Sequence, residues 1–244
     1  MADEEAGIGS RASDRLITFT DAVVAIAITL LALDLPVPTG RTVSGLWASV
    51  MSDSGQYLAF LISFFAIAGG WSQHHELFRY ARSTDARMKS LHLAWLLTII
   101  VLPFATKLLF DQETIDQGVR ALHWGFYALV QLLESAALFA MVRRMVSRDM
   151  LVPDTPPRVV AEVTGQSVGL MLGFGLSIPV FFATSYAWAL WIAAPLLTRV
   201  VRRRLRDRDR DHDGDGDGDG DGDRHRHRHR TILKRPDRSS GKLS

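Results

Sequence analysis

The chain has 244 residues, no cysteine, 28 basic and 26 acidic side chains, and a net charge of +2. The missing thiols exclude disulfides, thiolate catalysis and zinc–thiolate centres. The sum of charge says little by itself, because most of it lies in the tail and in short connections between apolar blocks; no nucleic-acid partner is expected. The first ten residues, MADEEAGIGS, are acidic where a cleavable signal would be basic, so residues 1–14 read as a cytoplasmic N-terminus.

The first span is read over 15–35, RLITFTDAVVAIAITLLALDL. At about 1.5 Å per residue it reaches about 31 Å, close to the hydrocarbon core of ~30 Å. It carries Asp21 within its first third, and a carboxylate in such a helix costs about 2.5–3.5 kcal/mol at the bilayer centre and less near the ends. Lipid is the wrong neighbour for that group, so it needs a bundle interior or a hydrated path.

Pro36, Pro38 and Gly40 then break the helix. Further spans are expected at about 57–78, 91–110, 119–141, 161–182 and 185–200, the third kinkable at Pro103 and the last two joined by a tight turn. The connections two–three and four–five, and the tail after Arg199, are Arg-rich. The others are acidic, uncharged or hold only Arg41. This alternation follows the positive-inside rule and puts both termini in the cytoplasm of a multi-pass cell-membrane protein.

Residues 201–244 read as a disordered, charged cytoplasmic tail whose Arg-rich start contacts anionic headgroups. Its DxDxDG spacing suggests a calcium loop, but the twelfth position holds Gly220 or Gly222 in place of the required Glu. Metal binding by His225, His227 and His229 is the other functional reading of this run.

On a helical wheel of the first span, Ile26, Leu30, Leu33 and Val37 form one stripe, with Thr29 beside it. Asp21 points about 140° from Ile26, and about 120° from Arg15, which it cannot reach on the same helix. The stripe fits either ordinary helix packing or a functional face. Asp21 needs a partner on another span, and an imidazole of His74 or His75, at similar depth in the second span, is the expected one. Gln131 and Glu134 lie mid-span in the fourth helix, as interhelical glue, a proton relay or a buried neutral carboxyl. A metal- or haem-binding protein or enzyme using His74, His75 and Glu134 is the alternative of another class. No TVGYG filter, phosphate-cradling loop, voltage-sensor helix or GxSxG nucleophile is present.

The segment R-x3-F-T-D-A-V-x-A-I-A-I-T-L-L-x-L-D, Arg15 to Asp34, resembles the first-span signature of the prokaryotic transmembrane protein 175 family. The family writes Phe-Ser-Asp where this chain has Phe19-Thr20-Asp21, and threonine keeps the hydroxyl. Trp71-x2-His74-His75-x2-Phe78 and Leu102-Pro103-Phe104-x-Thr106 are similar to the family in the second and third spans. The resemblance implies an all-α, six-span channel, not an enzyme and without a cofactor, potassium-permeable with sodium less favoured. One repeat per chain implies a homotetramer whose four first spans line the pore. Ile26, Leu30 and Leu33 then become constricting rings, Thr29 helps replace ion hydration, and Asp34 concentrates cations at the mouth. The triplet would hold the pore helix through His74 or His75 and Trp95.

Overall fold

The computed structural model describes residues 2–109, 116–184 and 186–214. The acidic connection at 111–115, the Asp-Gly run from 215 onward and His225, His227 and His229 lie outside them, so the calcium and metal readings of the tail have no structural counterpart here. The chain divides into two units, 1–203 and 204–244.

Seven helices occupy the described residues: α1 (Ala2–Leu33), α2 (Val43–Ser52), α3 (Ser54–Phe78), α4 (Ala86–Leu109), α5 (Gln117–Ser147), α6 (Pro157–Val180) and α7 (Ala189–Gly214). Five segments are long and apolar enough to cross a membrane: Arg15–Leu33 of α1 and all of α3 to α6. The sixth expected span is shorter. Its apolar part, Ala189–Val201, reaches only about 20 Å, and the α7 backbone stays helical to Gly214, where the sequence suggested disorder from 201. At the other end, α1 begins at Ala2, so the N-terminal segment continues the pore-candidate helix instead of standing apart. It stops at Leu33, which leaves Asp34 and Val37 beyond the helical stripe.

Local chemistry sets the boundaries. Thr42 caps α2 by accepting from the Gly45 amide at 3.1 Å, and Asp116 caps α5 through the Gly118 amide at 3.0 Å. α6 starts on Pro157, whose missing N–H is one of the donors a first turn leaves unused. Asp149, after α5, takes φ 52°, the left-handed turn that lets the chain reverse. The short α2 follows the proline break. Gly40 makes its close approach possible, because a Cβ there would run into the Leu46 backbone nitrogen at 2.5 Å.

Packing centres on α4 and α5, with Trp95, Ile99, Leu102, Tyr127 and Met141 fully buried. A polar ladder crosses this core: the Thr106 and Ser63 hydroxyl oxygens lie 2.8 Å apart, and those of Ser63 and Tyr127 3.2 Å apart. Such interhelical bonds are worth about 0.6 kcal/mol each in a bilayer, so they set the register of α3, α4 and α5 more than they hold them together. Gly169 and Gly173 let α7 approach α6 closely. A Cβ at Gly169 would lie 3.0 Å from Pro195 Cα, and one at Gly173 2.7 Å from the Leu190 carbonyl oxygen.

The two Arg-rich connections meet at one end of the bundle. Arg82 donates its amide to the Met150 carbonyl at 2.8 Å, and Val152 to the Tyr80 carbonyl at 2.9 Å. Asp85 joins them more firmly. Its carboxylate accepts from the Met88 amide at 2.8 Å, which caps α4, and from Arg144 Nε at 3.0 Å with a second guanidinium contact. The Arg144 bond first, then the Met88 bond, hold the Asp85 carboxyl at about 2, below its ordinary 3.8. A carboxylate lowered in this way stabilises the fold above its unfolded value and ceases to do so as pH falls through the folded one. The tie should therefore be intact above about pH 4 and fail towards about pH 2. Asp85→Ala should lower the melting temperature at neutral pH more than Asp85→Asn, which still accepts from Met88. Thermal unfolding of the three proteins in detergent checks this, and an unchanged Asp85→Ala protein would show that the tie contributes nothing.

Candidate pore helix and its anchor

The amphipathic division of α1 is sharp. Thr20, Val24, Ala27 and Leu31, spaced by three or four, are buried against α3 and α4. On the other side Ile26, Leu30 and Leu33 are 59%, 44% and 79% exposed in the single chain, with Thr29 also exposed. Thr29 Oγ1 donates to the Ile26 carbonyl at 2.8 Å. Its only hydroxyl proton is thus used on the backbone, and its oxygen lone pairs are left to accept or to meet a cation.

The Phe19-Thr20-Asp21 triplet sends its members to different places. Phe19 is exposed, as is Arg15. Asp21 accepts from the indole Nε1 of Trp71 on α3 at 2.8 Å. The expected histidine partner is therefore replaced by Trp71, which in turn lies against His75, ring centres 5.4 Å apart. The indole is a donor only, so it suits a carboxylate without bringing a second charge into the membrane.

Thr20 makes the other anchor. Its hydroxyl donates to the Leu16 carbonyl at 2.8 Å and also touches His92 Nε2 on α4. His92 Nδ1 lies 3.1 Å from His74 Nε2. A carbonyl accepts only, so the threonine proton goes to Leu16 and His92 Nε2–H must donate to Thr20. His92 Nδ1 is then the acceptor, and His74 Nε2–H donates to it. The chain His74→His92→Thr20→Leu16 is thus directional and needs the His92 imidazole neutral. His74 is held flat between Phe78, at 4.3 Å between ring centres, and Trp95, at 4.6 Å. All three rings and His92 are buried. Pro103 lies within α4 and is buried one turn before Thr106 of the polar ladder.

The sequence reading missed His92, a lone histidine in an apolar span. Its signal was positional: it sits three residues before Trp95, so both share the α4 face that receives His74. It also missed Lys107, whose Nζ pairs with Asp34 at 2.8 Å, both side chains substantially exposed. Together with Tyr57 donating to the Pro36 carbonyl at 2.8 Å, this closes the end of the bundle opposite Asp85. A cavity of about 700 Å³ lies there, lined by Asp34, Asp53, Gln56, Phe104 and Lys107 among others.

A metal or haem site on His74, His75 and Glu134 is not what the geometry offers. His74 is committed to His92 and stacked on both faces. Among the described residues no group of three or more His, Cys, Asp or Glu side chains could hold a metal ion.

Residues 15–103 match the family described as endosomal/lysosomal potassium channel TMEM175. The chain is 34% identical over 131 residues to a potassium channel of Streptomyces collinus, covering 53% of this chain and 62% of that one. It is 40% identical over 97 residues to a potassium channel of Chamaesiphon minutus, covering 39% and 48%. The chain thus spans less than two thirds of these relatives, and neither name denotes an enzyme. The crystal structure of a lysosomal potassium-selective channel TMEM175 homologue from Chamaesiphon minutus aligns with a TM-score of 0.62 and 26% identity, over 80% of this chain and 98% of that one.

Trp71→Phe keeps the aromatic bulk and leaves the Asp21 carboxylate without its donor. Removing one partner of a buried or half-buried pair costs about 1–3 kcal/mol. The variant should therefore unfold at lower temperature and give less folded protein on size exclusion. Wild-type stability and yield would mean that Asp21 is satisfied by solvent and anchors nothing.

Proposed function

We propose that this relative of the TMEM175 channels is a potassium-permeable cation channel, a passive homotetramer in the cell membrane with four copies of α1 around its path. The observation that carries the reading is the exposed stripe of α1. A membrane helix anchored on one face by Trp71 and His92 leaves Ile26, Thr29, Leu30 and Leu33 for lipid, water or sister chains. The match of residues 15–103, which include this helix, to the potassium-channel family favours the water-lined choice. One α1 cannot surround a path, and four can.

In this arrangement the rings of Ile26, Leu30 and Leu33 narrow the path and gate it by dewetting. Ile26 lies deepest of the three and forms the tightest ring. Thr29 follows it with oxygen lone pairs turned outward, able to replace part of an ion's hydration. Without a carbonyl filter, discrimination between potassium and sodium is modest and rests on ring width and these hydroxyls. Asp34 attracts cations to the mouth less than a bare carboxylate would, since Lys107 neutralises it. Both termini lie in the cytoplasm, on the side of the Arg-rich connections.

The test is ion flux from proteoliposomes, with potassium, sodium and a large organic cation compared, on protein whose mass in detergent gives four chains. Ile26→Asn should wet the constriction and raise flux severalfold with unchanged or lower selectivity. Ala27→Asn, on the buried face, should instead reduce folding and yield. Comparable gains from both would mean that the faces of α1 are misassigned, and a conducting monomer would sink the tetrameric pore.

A further inference from the structure

Away from the exposed face of α1, a second cavity of about 730 Å³ opens among α3, α5, α6 and α7. That volume falls in the roughly 300–1,000 Å³ range of small-molecule sites. Its walls are aliphatic and aromatic, with Phe65, Tyr127, Trp188 and Trp191 among them. Into this apolar space the protein places hydrogen-bonding groups that it does not pair. Gln73 Oε1, Gln131 Oε1 and Ser167 Oγ are all buried and lack a partner, and all three residues line the cavity. Buried polar atoms are seldom left so, and each one calls for an explanation.

Glu134 belongs to the same cluster. A Cβ at Gly70 would run into its Oε1, so the glycine is what allows the carboxyl to lie against the α3 backbone. No lysine, arginine or histidine lines the cavity. The two amide oxygens can only accept, and the Ser167 hydroxyl and the Glu134 carboxyl can accept as well. A ligand that satisfies these atoms donates several hydrogen bonds. A carboxyl in a hydrocarbon environment is disfavoured as a carboxylate unless a cation meets it, so a cationic donor is the partner that lets Glu134 ionise, and the indole and phenol faces nearby suit a cation. A phosphate-bearing head would meet Glu134 with the wrong sign.

We propose that this cavity binds a single-chain amphiphile with a primary ammonium head, the head at Glu134, Gln131 and Gln73 and the chain along the aromatic wall. The site is separate from the path along α1, and binding, not flux, reads it.

The experiment uses the full chain in phosphatidylcholine nanodiscs and titrates dodecylamine, dodecanol and dodecanoate. Binding is followed by tryptophan emission, since Trp188 and Trp191 line the site. Dodecylamine should bind at least about tenfold more tightly than the other two, the scale of one charge-assisted hydrogen bond. Glu134→Gln, which keeps the shape, should abolish the preference. Gln131→Leu, which keeps the charge, should weaken dodecylamine severalfold while elution on size exclusion stays that of the wild type. Should Glu134→Gln fail to fold, the probe series on the wild type and Gln131→Leu decide. Equal binding of the three probes, no binding of any, or a preference that survives Glu134→Gln would overturn the proposal.

Discussion

Two adjacent polar residues in the apolar span of α1 fix how that helix is turned. Thr20 and Asp21 are adjacent, so they point about 100° apart and need partners on two different neighbours. Trp71 on α3 takes the carboxylate, and His92 on α4, backed by His74, takes the hydroxyl. Together they lock its azimuth, and the 3.6-residue period carries that decision along the helix to Ala27 and Leu31 on one side and Ile26, Leu30 and Leu33 on the other. The exposed face is thus set by bonds several residues away from it, near one end of the span.

The rest of the bundle supports that lock without sharing its chemistry. α4 is held from three directions: by Asp85 and Arg144 at one end, by Thr106, Ser63 and Tyr127 in the core, and by Lys107 with Asp34 at the other end. It is therefore a rigid platform for His92 and Trp95. α3 turns Trp71 to α1 and His74 to His92 and Trp95 on α4, while Gly70 and Gln73 line the cavity that holds Glu134.

Much of this was legible in the residues. The length and polarity of the first span gave its position, and the wheel separated Ile26 from Ala27 before any contact was known, because burial of a helix face follows a fixed period. The partners of Asp21 were harder. Adjacent His74 and His75 drew attention as titratable groups, whereas the neutral indole of Trp71 meets the carboxylate at no cost in buried charge. His92 escaped because a single histidine in an apolar run has no periodic signature; only the third dimension brings it to Thr20. The short α2 and the extension of α7 to Gly214 were also missed. The first follows prolines that promise only a loop, and the second is helical in a run whose composition suggests solvation.

The absence of cysteine allows the orientation of α1 to be measured directly, because every introduced thiol is the only one in the chain. Single cysteines at Ile26, Leu30 and Leu33, and at Val24, Ala27 and Leu31, can be exposed to a charged, water-soluble thiol reagent while potassium flux is recorded from proteoliposomes. Modification and loss of flux at Ile26, Leu30 and Leu33, with Val24, Ala27 and Leu31 protected and unaffected, is the pattern expected of a water-lined α1. Protection at all six positions in a conducting protein would place the ion path elsewhere and contradict the account.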